Sequence, residues 1–171
     1  PEGIADRLIH IHPGGEELGR VYRPYLAVTA TAGAAMSAIA AAASSKRNAS
    51  RQAWVAERRA AYEAWSAPVE VTGAVNPSEI WAQVAEAYGD TAILTNGAGN
   101  FAAWLHRFHQ HRCYPSQLAP TSGAMGYGLP AAISAKLAYP DRPVICAAGD
   151  GDFLMSAPDL ATAVQHGANI V

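Results

Sequence analysis

The chain has 171 residues, of which 50% are hydrophobic and 15% are charged, and its formal net charge is −2. This composition predicts a folded protein with a buried core, made of one domain or of one domain and part of another. It excludes a disordered chain, a nucleic-acid-binding face, for which no Lys/Arg cluster is long enough, and a membrane span, for which no apolar run approaches ~20 residues.

The two cysteines, Cys113 and Cys146, form no CxxC pair, which excludes a zinc ribbon and a thioredoxin-like redox site. Because the sequence has no signal peptide, we expect reduced thiols and a cytoplasmic protein. The sequence begins at Pro1 without a methionine and stops at "GANIV", which is typical of the start of a strand. We therefore expect a segment of a longer protein.

Two short strands and two helices are predicted at the start of the chain. "RLIHIH" (7–12) is apolar and alternating, and "YLAVTAT" (25–31) has a similar extended character. Between them, "PGGEELGRVY" (13–22) indicates a turn that leads into a short helix. The Ala-rich stretch 33–43 predicts a longer helix.

The stretch 44–67 carries most of the basic charge, and aromatic residues are interleaved with it. We interpret it as a solvated helix anchored by its aromatic side chains, with a basic ligand patch as the alternative. "SAPVEVTGAV" (66–75) follows as a linker, because it contains Pro and Gly and has no helical period. In the stretch 44–67, the basic residues are Lys46, Arg47, Arg51, Arg58 and Arg59, and the aromatic residues are Trp54, Tyr62 and Trp65.

A regular α/β alternation begins at Asn76. Asn76, Pro77 and Glu79 form a helix start with a capping box, and Gly89 ends that helix after Tyr88. A buried strand (91–95), a turn (96–100), a helix (101–110), an irregular loop (111–125) and a helix (127–137) follow in order. A strand (143–148), a turn, a helix capped by Ser156 that runs to His166, and a strand start at 169–171 complete the pattern. This order predicts an α/β fold with a parallel sheet and crossover helices, in which ligands bind at the carboxyl ends of the strands.

The first candidate site is the turn after the strand 91–95, where 97–102 matches G-x-G-x-x-A and precedes a helix. A dinucleotide fingerprint also needs an acidic residue ~20 positions further on. No Asp or Glu lies between Asp90 and Asp141, so the dinucleotide interpretation fails. A phosphate contact and a plain tight turn remain as alternatives.

The second candidate is the glycine-rich run 123–132, in which three glycines bring the backbone close to a neighbour. Its preceding segment, "YPSQLAPTSGAM", is not predicted to be a strand, so the match to the same fingerprint is partial. A loop that enters a helix and a loop that holds a ligand are both consistent with this run.

The third candidate is "GDGD" (149–152) at the end of an apolar strand. A carboxylate flanked by glycines at this position is suited to a hard cation such as Mg²⁺, and the glycine N–H groups are suited to a phosphate. A plain tight turn is the alternative. Leu154 and Met155 exclude an EF-hand.

The histidines form two sets, His10 with His12, and His106 with His109 and His111. The spacing of the first pair is compatible with zinc, but neither set is completed by nearby ligands, so we expect surface or packing residues. Paired glycosidase carboxylates and a G-x-S-x-G elbow are both absent from the sequence.

Gly149-Asp150-Gly151, at the end of a strand and followed by "DFLM", resembles the motif that opens the diphosphate-binding segment of thiamine-diphosphate-dependent enzymes. "SGAMGYGLPAAISAKLAYPDRPVICAAGDGDF" is similar to the acetolactate synthase group of that family. "RLIHIHPGGEELGRVYRPYLAVTAT" resembles the end of the family's central domain. Together these segments cover nearly the whole chain.

The resemblance implies a division into 1–43, the C-terminal part of a central Rossmann-like domain; 44–75, a helical linker; and 76–171, the N-terminal half of a thiamine-diphosphate-binding domain. It implies a fold truncated at its C-terminus. It also implies a homodimer or homotetramer, because the family's active site lies between two subunits.

The resemblance further implies thiamine diphosphate and Mg²⁺ as cofactors, and decarboxylation or ligation of a 2-keto acid. Asp150 would be the metal ligand. Met125 would lie beneath the cofactor, and the Gly123 carbonyl would accept from the aminopyrimidine. Gly99, Asn100, Gly149, Gly151 and Asp152 would bind the diphosphate.

Two positions depart from the family pattern. Residue 152 is often small in the family but is Asp here, so we expect its side chain to face solvent or a helix N-terminus. Gly99-Asn100-Phe101 replaces a Gln-His-Gln loop. The resemblance places no catalytic residue in this chain, because the activating glutamate belongs to the family's amino-terminal domain. A non-catalytic nucleotide-binding module and an inactive homologue are the alternative functions.

Overall fold

The computed structural model describes Gly3, residues 7–43 and residues 48–171, and the chain divides into two compact units, 1–53 and 54–171. The predicted domain border at residue 44, together with Lys46 and Arg47 of the basic stretch, lies outside the described residues. The three-part domain assignment therefore stays a prediction.

The first unit contains the two predicted strands and the predicted Ala-rich helix. Strands β1 (Ile9–His12) and β2 (Leu26–Thr29) pair in parallel. A single turn of 3₁₀ helix, Gly15–Glu17, lies between them. Helix α1 (Ala32–Ala42) begins where the Thr31 hydroxyl accepts from the Ala34 N–H at 3.3 Å, which is the usual capping role of threonine.

Helix α2 (Ala49–Ser66) confirms the helix predicted for the basic stretch, over its described residues. Its aromatic side chains remain exposed. Trp65 is anchored by Arg107, whose guanidinium lies 5.1 Å from the indole centroid and donates to the Trp65 carbonyl at 2.8 Å. The helix is therefore solvated as predicted, but the predicted aromatic anchoring is seen at Trp65 and not at the exposed Trp54 and Tyr62, as far as the described residues show.

The second unit is built on a parallel sheet with the order β4-β3-β5, formed by β3 (Ile93–Asn96), β4 (Gln117–Leu118) and β5 (Val144–Ala147). The main chain of Val171 pairs with the free side of β5, accepting from Cys146 N–H at 2.7 Å and donating to the Val144 carbonyl at 3.0 Å. The predicted strand start at 169–171 thus continues the hydrogen-bond ladder.

Strand β4 was not predicted, because residues 111–125 have the composition of an irregular loop. It consists of Gln117 and Leu118 alone, which pair with Leu94 and Thr95 of β3. Two residues carry no periodicity, so the strand depends on the neighbouring β3 rather than on local sequence.

Five helices flank the sheet: α3 (Pro77–Tyr88), α4 (Asn100–Phe108), α5 (Gly128–Ala138), α6 (Asp150–Leu154) and α7 (Leu160–Gln165). Four of them lie where the sequence predicts helices. Helix α6 replaces the predicted turn. It was missed because five residues that include a glycine have little intrinsic helix propensity.

The Ser156 capping prediction is wrong. Ser156 makes no side-chain cap bond, and the turn that follows, Ala157–Asp159, is a 3₁₀ helix. The Ser156 hydroxyl is buried and has no hydrogen-bond partner within the described part of the chain.

The core lies on both faces of the sheet, because successive strand residues point to opposite sides. Leu94 and Ile145 pack with Trp81, Leu105 and Phe108 of α3 and α4. On the other face, Ile93 and Val144 pack against Ala132 and Ala135 of α5. Helices therefore cover both faces of a buried parallel sheet, as its apolar strands require. None of the described helices is long and apolar enough to cross a membrane.

Asn76 begins α3 as predicted and also joins it to the preceding segment. Its Oδ1 accepts from the Ser78 N–H at 3.0 Å, and its Nδ2 donates to the Val69 carbonyl at 2.8 Å and to Glu79 at 3.1 Å. We expect Asn76→Ala to lower the free energy of unfolding by about 1–2 kcal/mol, visible as faster hydrogen exchange of α3. The exposed Asn169→Ala should have no such effect, and equal exchange in both variants would contradict the capping role.

Candidate functional site

Two glycine-bearing turns leave the sheet at one edge. Because β3 and β5 are parallel neighbours with Asn96 opposite Ala147, the turns that follow them lie side by side. Between them is a cavity of about 360 Å³. Its lining residues are Ala98, Gly99, Asn100, Phe101, Met125, Gly149, Asp150, Gly151 and Asp152.

This cavity brings together every predicted cofactor or metal residue except Gly123. Gly123 lines a neighbouring cavity of about 310 Å³, which shares Ala98 and Gly99 with the first. Both cavities lie where a parallel sheet is expected to bind ligands, at the carboxyl ends of the strands. The larger cavity of about 440 Å³ is lined by residues of α2, α3 and the segment 108–112, and includes none of the predicted residues.

Asp150 is the carboxylate available to a cation in this cavity. It is the first residue of α6, directly after β5 and Gly149, and it is exposed. No side-chain hydrogen bond or ion pair holds its carboxylate within the described residues. An unpaired carboxylate on a fixed backbone is suited to Mg²⁺, which takes one or two protein carboxylates and completes its shell with phosphate oxygens and water.

Asp152 does not face solvent, since only 3% of its surface is exposed. Its Oδ1 accepts from the Gly126 N–H at 2.7 Å, just before α5. A Cβ at Gly97 would overlap the same carboxylate. The side chain therefore points away from the cavity and holds the three glycine-bearing turns together, so only its backbone N–H is left for the predicted diphosphate contact.

Phe101, noted above only as a departure from the family pattern, contacts both turns and was not predicted to line the cavity. A Cβ at Gly99 would lie 2.7 Å from Phe101 Cε1, and a Cβ at Gly149 would lie 2.9 Å from Cδ1. The ring therefore packs against two glycines that line the cavity. No local sequence signal marks this contact, because Phe101 lies in α4 and Gly149 lies far along the chain, just before α6.

The loop before α5 supplies Met125 and brings α5 close to the sheet. Met125 is 44% exposed, and its Cε lies 3.5 Å from where a Cβ of Gly151 would be. Gly126 has φ +78°, a left-handed conformation that favours glycine. Gly128 leaves no room for a side chain, because its Cβ would lie 2.9 Å from the Gly97 nitrogen.

Cys146 lies beneath these turns but is not an activated nucleophile. Burial raises the pKa of its thiol; a hydrogen bond with Thr95 opposes this shift and the Asp152 carboxylate adds to it. The thiol therefore stays protonated near neutral pH, whereas reactive cysteines need a lowered pKa.

The histidine sets do not form metal sites. Among the described residues, no group of three or more His, Cys, Asp or Glu side chains is placed to hold a metal ion. His109 is buried, and burial, followed by the nearby His111, lowers its pKa, while Asp90 opposes the shift. His109 is thus a packing residue, whereas His106 and His111 are exposed.

Known proteins are similar to this chain over most of its length. A family model described as thiamine pyrophosphate enzyme, C-terminal TPP binding domain, matches residues 97–171. The chain is 29% identical over 165 residues to the acetolactate synthase isozyme 1 large subunit of Escherichia coli (strain K12), covering 94% of this chain and 28% of that protein. It is 30% identical over 169 residues to acetolactate synthase 2, chloroplastic, of Nicotiana tabacum, covering 94% of this chain and 25% of that protein.

A solved structure has a similar fold over most of the chain. It is the thiamine diphosphate-dependent 4-hydroxybenzoylformate decarboxylase of Rhodococcus jostii RHA1, with a TM-score of 0.71 and 26% sequence identity, covering 94% of this chain and 29% of that one. The chain thus spans between a quarter and a third of the length of the proteins it matches.

Proposed function

Because this chain belongs to the thiamine-diphosphate-dependent enzyme family, we propose that the full-length protein is a thiamine-diphosphate- and Mg²⁺-dependent enzyme acting on a 2-keto acid. Its reaction is decarboxylation followed by release or by ligation to a second carbonyl compound, most like that of acetolactate synthase. The observation that carries the proposal is the exposed Asp150 carboxylate, which has no side-chain partner among the described residues, in a cavity bounded by two glycine-bearing turns.

The residues present fit a diphosphate with its metal. Gly99, Gly149 and Gly151 line the cavity, and the backbone N–H groups of such glycine-bearing turns are suited to phosphate oxygens. Asp150 would bind Mg²⁺, and the N–H groups of Gly151 and Asp152 would donate to the diphosphate. Asn100 begins α4, where backbone N–H groups also favour an anion.

The remaining predicted residues would hold the organic part of the cofactor. Met125, which lies against Gly151, would support its bent shape from below. The Gly123 carbonyl, at the second cavity, would accept a hydrogen bond from the aminopyrimidine. When bound, thiamine diphosphate supplies the electron sink that lets CO₂ leave a 2-keto acid.

This chain is proposed to supply cofactor binding rather than acid–base chemistry. The activating glutamate would come from another domain, and the site would be completed between subunits of a homodimer or homotetramer in the cytoplasm. The proposed tasks of the described residues are to orient the diphosphate, to hold its metal and to fix the position of the ring system.

Calorimetric titration of thiamine diphosphate into the full-length protein, with and without Mg²⁺, tests the proposal. We expect binding that depends on the metal, and CO₂ release from a 2-keto acid such as pyruvate once the cofactor is bound. Metal-dependent binding without turnover of any 2-keto acid would indicate an inactive homologue. Tight nucleotide binding without thiamine-diphosphate binding would overturn the proposal in favour of a nucleotide-binding module.

A further inference from the structure

The last residue of β3, Asn96, connects three segments through its side chain. It is 1% exposed. Its Nδ2 donates to the Gly97 carbonyl at 2.8 Å, and its Oδ1 accepts from His106 Nε2 at 3.2 Å and from Gln117 Nε2 at 3.2 Å. Because a carbonyl only accepts, the Gly97 contact fixes the orientation of the amide, and His106 must carry its hydrogen on Nε2.

The turn that begins at Gly97 is confined on several sides. The Asn96 amide holds the Gly97 carbonyl, the Asp152 carboxylate lies against the Gly97 Cα, and Gly128 packs against its nitrogen. Gly99, two residues further on, lines both cavities. The Asn96 amide therefore holds the carbonyl at the start of a backbone segment that both cavities share.

His106 is the accessible member of this cluster. It is exposed on α4 and lines the second cavity together with Gly99 and Gly123. Within the described part of the chain, its one hydrogen bond is to Asn96. Since an exposed side chain contributes little to the buried core, its replacement tests the contact with Asn96 more than the stability of the fold.

We propose that His106 is a positioning residue for the cofactor site: it holds the buried Asn96 amide, which in turn sets the backbone of the turn 97–99. This inference rests on the proposed function. The inference goes beyond that function by giving Asn96 and His106 a role through their contacts with the turn 97–99. Preorganised binding groups need such support from the residues behind them.

The test compares His106→Leu with His106→Gln in the full-length protein. The glutamine keeps an N–H donor at a similar reach, whereas the leucine removes it. At saturating Mg²⁺, the thiamine-diphosphate Kd of H106L should rise about tenfold, which corresponds to about 1.4 kcal/mol, and that of H106Q should stay within about twofold of wild type. The melting temperature of the cofactor-free H106L protein should stay within roughly a degree of wild type.

A second readout follows the turn itself. Hydrogen exchange of a peptide that covers 97–99 should be faster in cofactor-free H106L than in wild type and should be restored in H106Q. His166→Leu, a replacement of an exposed histidine at the end of α7, should change neither exchange nor affinity.

The outcomes separate this inference from the proposed function. If the wild-type protein does not bind thiamine diphosphate, the proposed function fails, and the inference fails with it. If wild type binds and H106L binds equally well, only the inference fails. A comparable loss of affinity in H106L and H106Q, or a large fall in the melting temperature of H106L, would also overturn the positioning role.

Discussion

Replacing Asp150 by alanine should abolish metal-dependent binding of thiamine diphosphate to the full-length protein. Asp150 is the carboxylate that lines the cavity without a protein partner within the described residues. The other acidic residue there, Asp152, is buried and bonded to Gly126. We expect the Kd measured by calorimetry with Mg²⁺ to rise at least about 100-fold, or about 2.7 kcal/mol, because Mg²⁺ relies on few protein carboxylates.

The stability of the cofactor-free protein should not change with this substitution, since Asp150 is exposed and contributes no described contact to the fold. Asp141→Ala is the matched control, as it removes an exposed carboxylate before the amino end of β5. Wild-type affinity in Asp150→Ala would refute the assignment of Asp150 as the metal ligand. An equal loss of affinity in Asp141→Ala would show that overall charge, rather than this site, governs binding.

Replacing Gly128 by alanine should destabilise the second unit by about 2–3 kcal/mol, in the range of overpacked buried positions. The added Cβ would lie 2.9 Å from Gly97 N, 3.1 Å from Asn96 C and 3.2 Å from Cys146 Sγ. Two of these atoms are backbone, so relief requires α5 to move away from the ends of β3 and β5. Hydrogen exchange of β3 and β5 in the full-length protein should become faster, and the urea midpoint should fall.

Gly33→Ala provides the comparison for this effect. Gly33 also lies in a helix, α1, but within the described chain, its neighbours and its own helix backbone aside, no atom lies within 4 Å of its added Cβ. It should be neutral or stabilising by up to about 1 kcal/mol, because alanine has the higher helix propensity. If Gly128→Ala were equally well tolerated, close packing of α5 would not be what requires glycine at this position.

The parts of the fold that were predictable are those with long, local signals. The strand at 91–95 and the strand at 143–148 are apolar runs bounded by turn residues, and both occur close to the expected positions as β3 and β5. The start of α3 at Asn76 and its end at Gly89 follow from cap chemistry, which acts within one helical turn. Helix α6 and strand β4 lack such signals, because five and two residues are too few to show a periodic pattern. Their formation depends on the elements packed beside them.

Most of the residues predicted for the candidate site line one cavity, but their arrangement was not predictable from the sequence. Glycine spacing and the carboxylate after a strand indicated the turns at 97–99 and 149–152, because close backbone approach and metal binding need those residue types locally. The separation of Gly123 from the others was not predictable, since it depends on the path of the loop between β4 and α5.

The sequence by itself determined the parallel α/β order, the glycine-bearing turns and the placement of Asp150 after a strand, because each depends on composition and spacing within a short segment. The tertiary structure decided which way Asp152 points, where Phe101 packs and how Asn96 meets His106 and Gln117. Those contacts join segments that are distant in the chain. Their geometry therefore follows from how the helices pack on the sheet rather than from the local sequence.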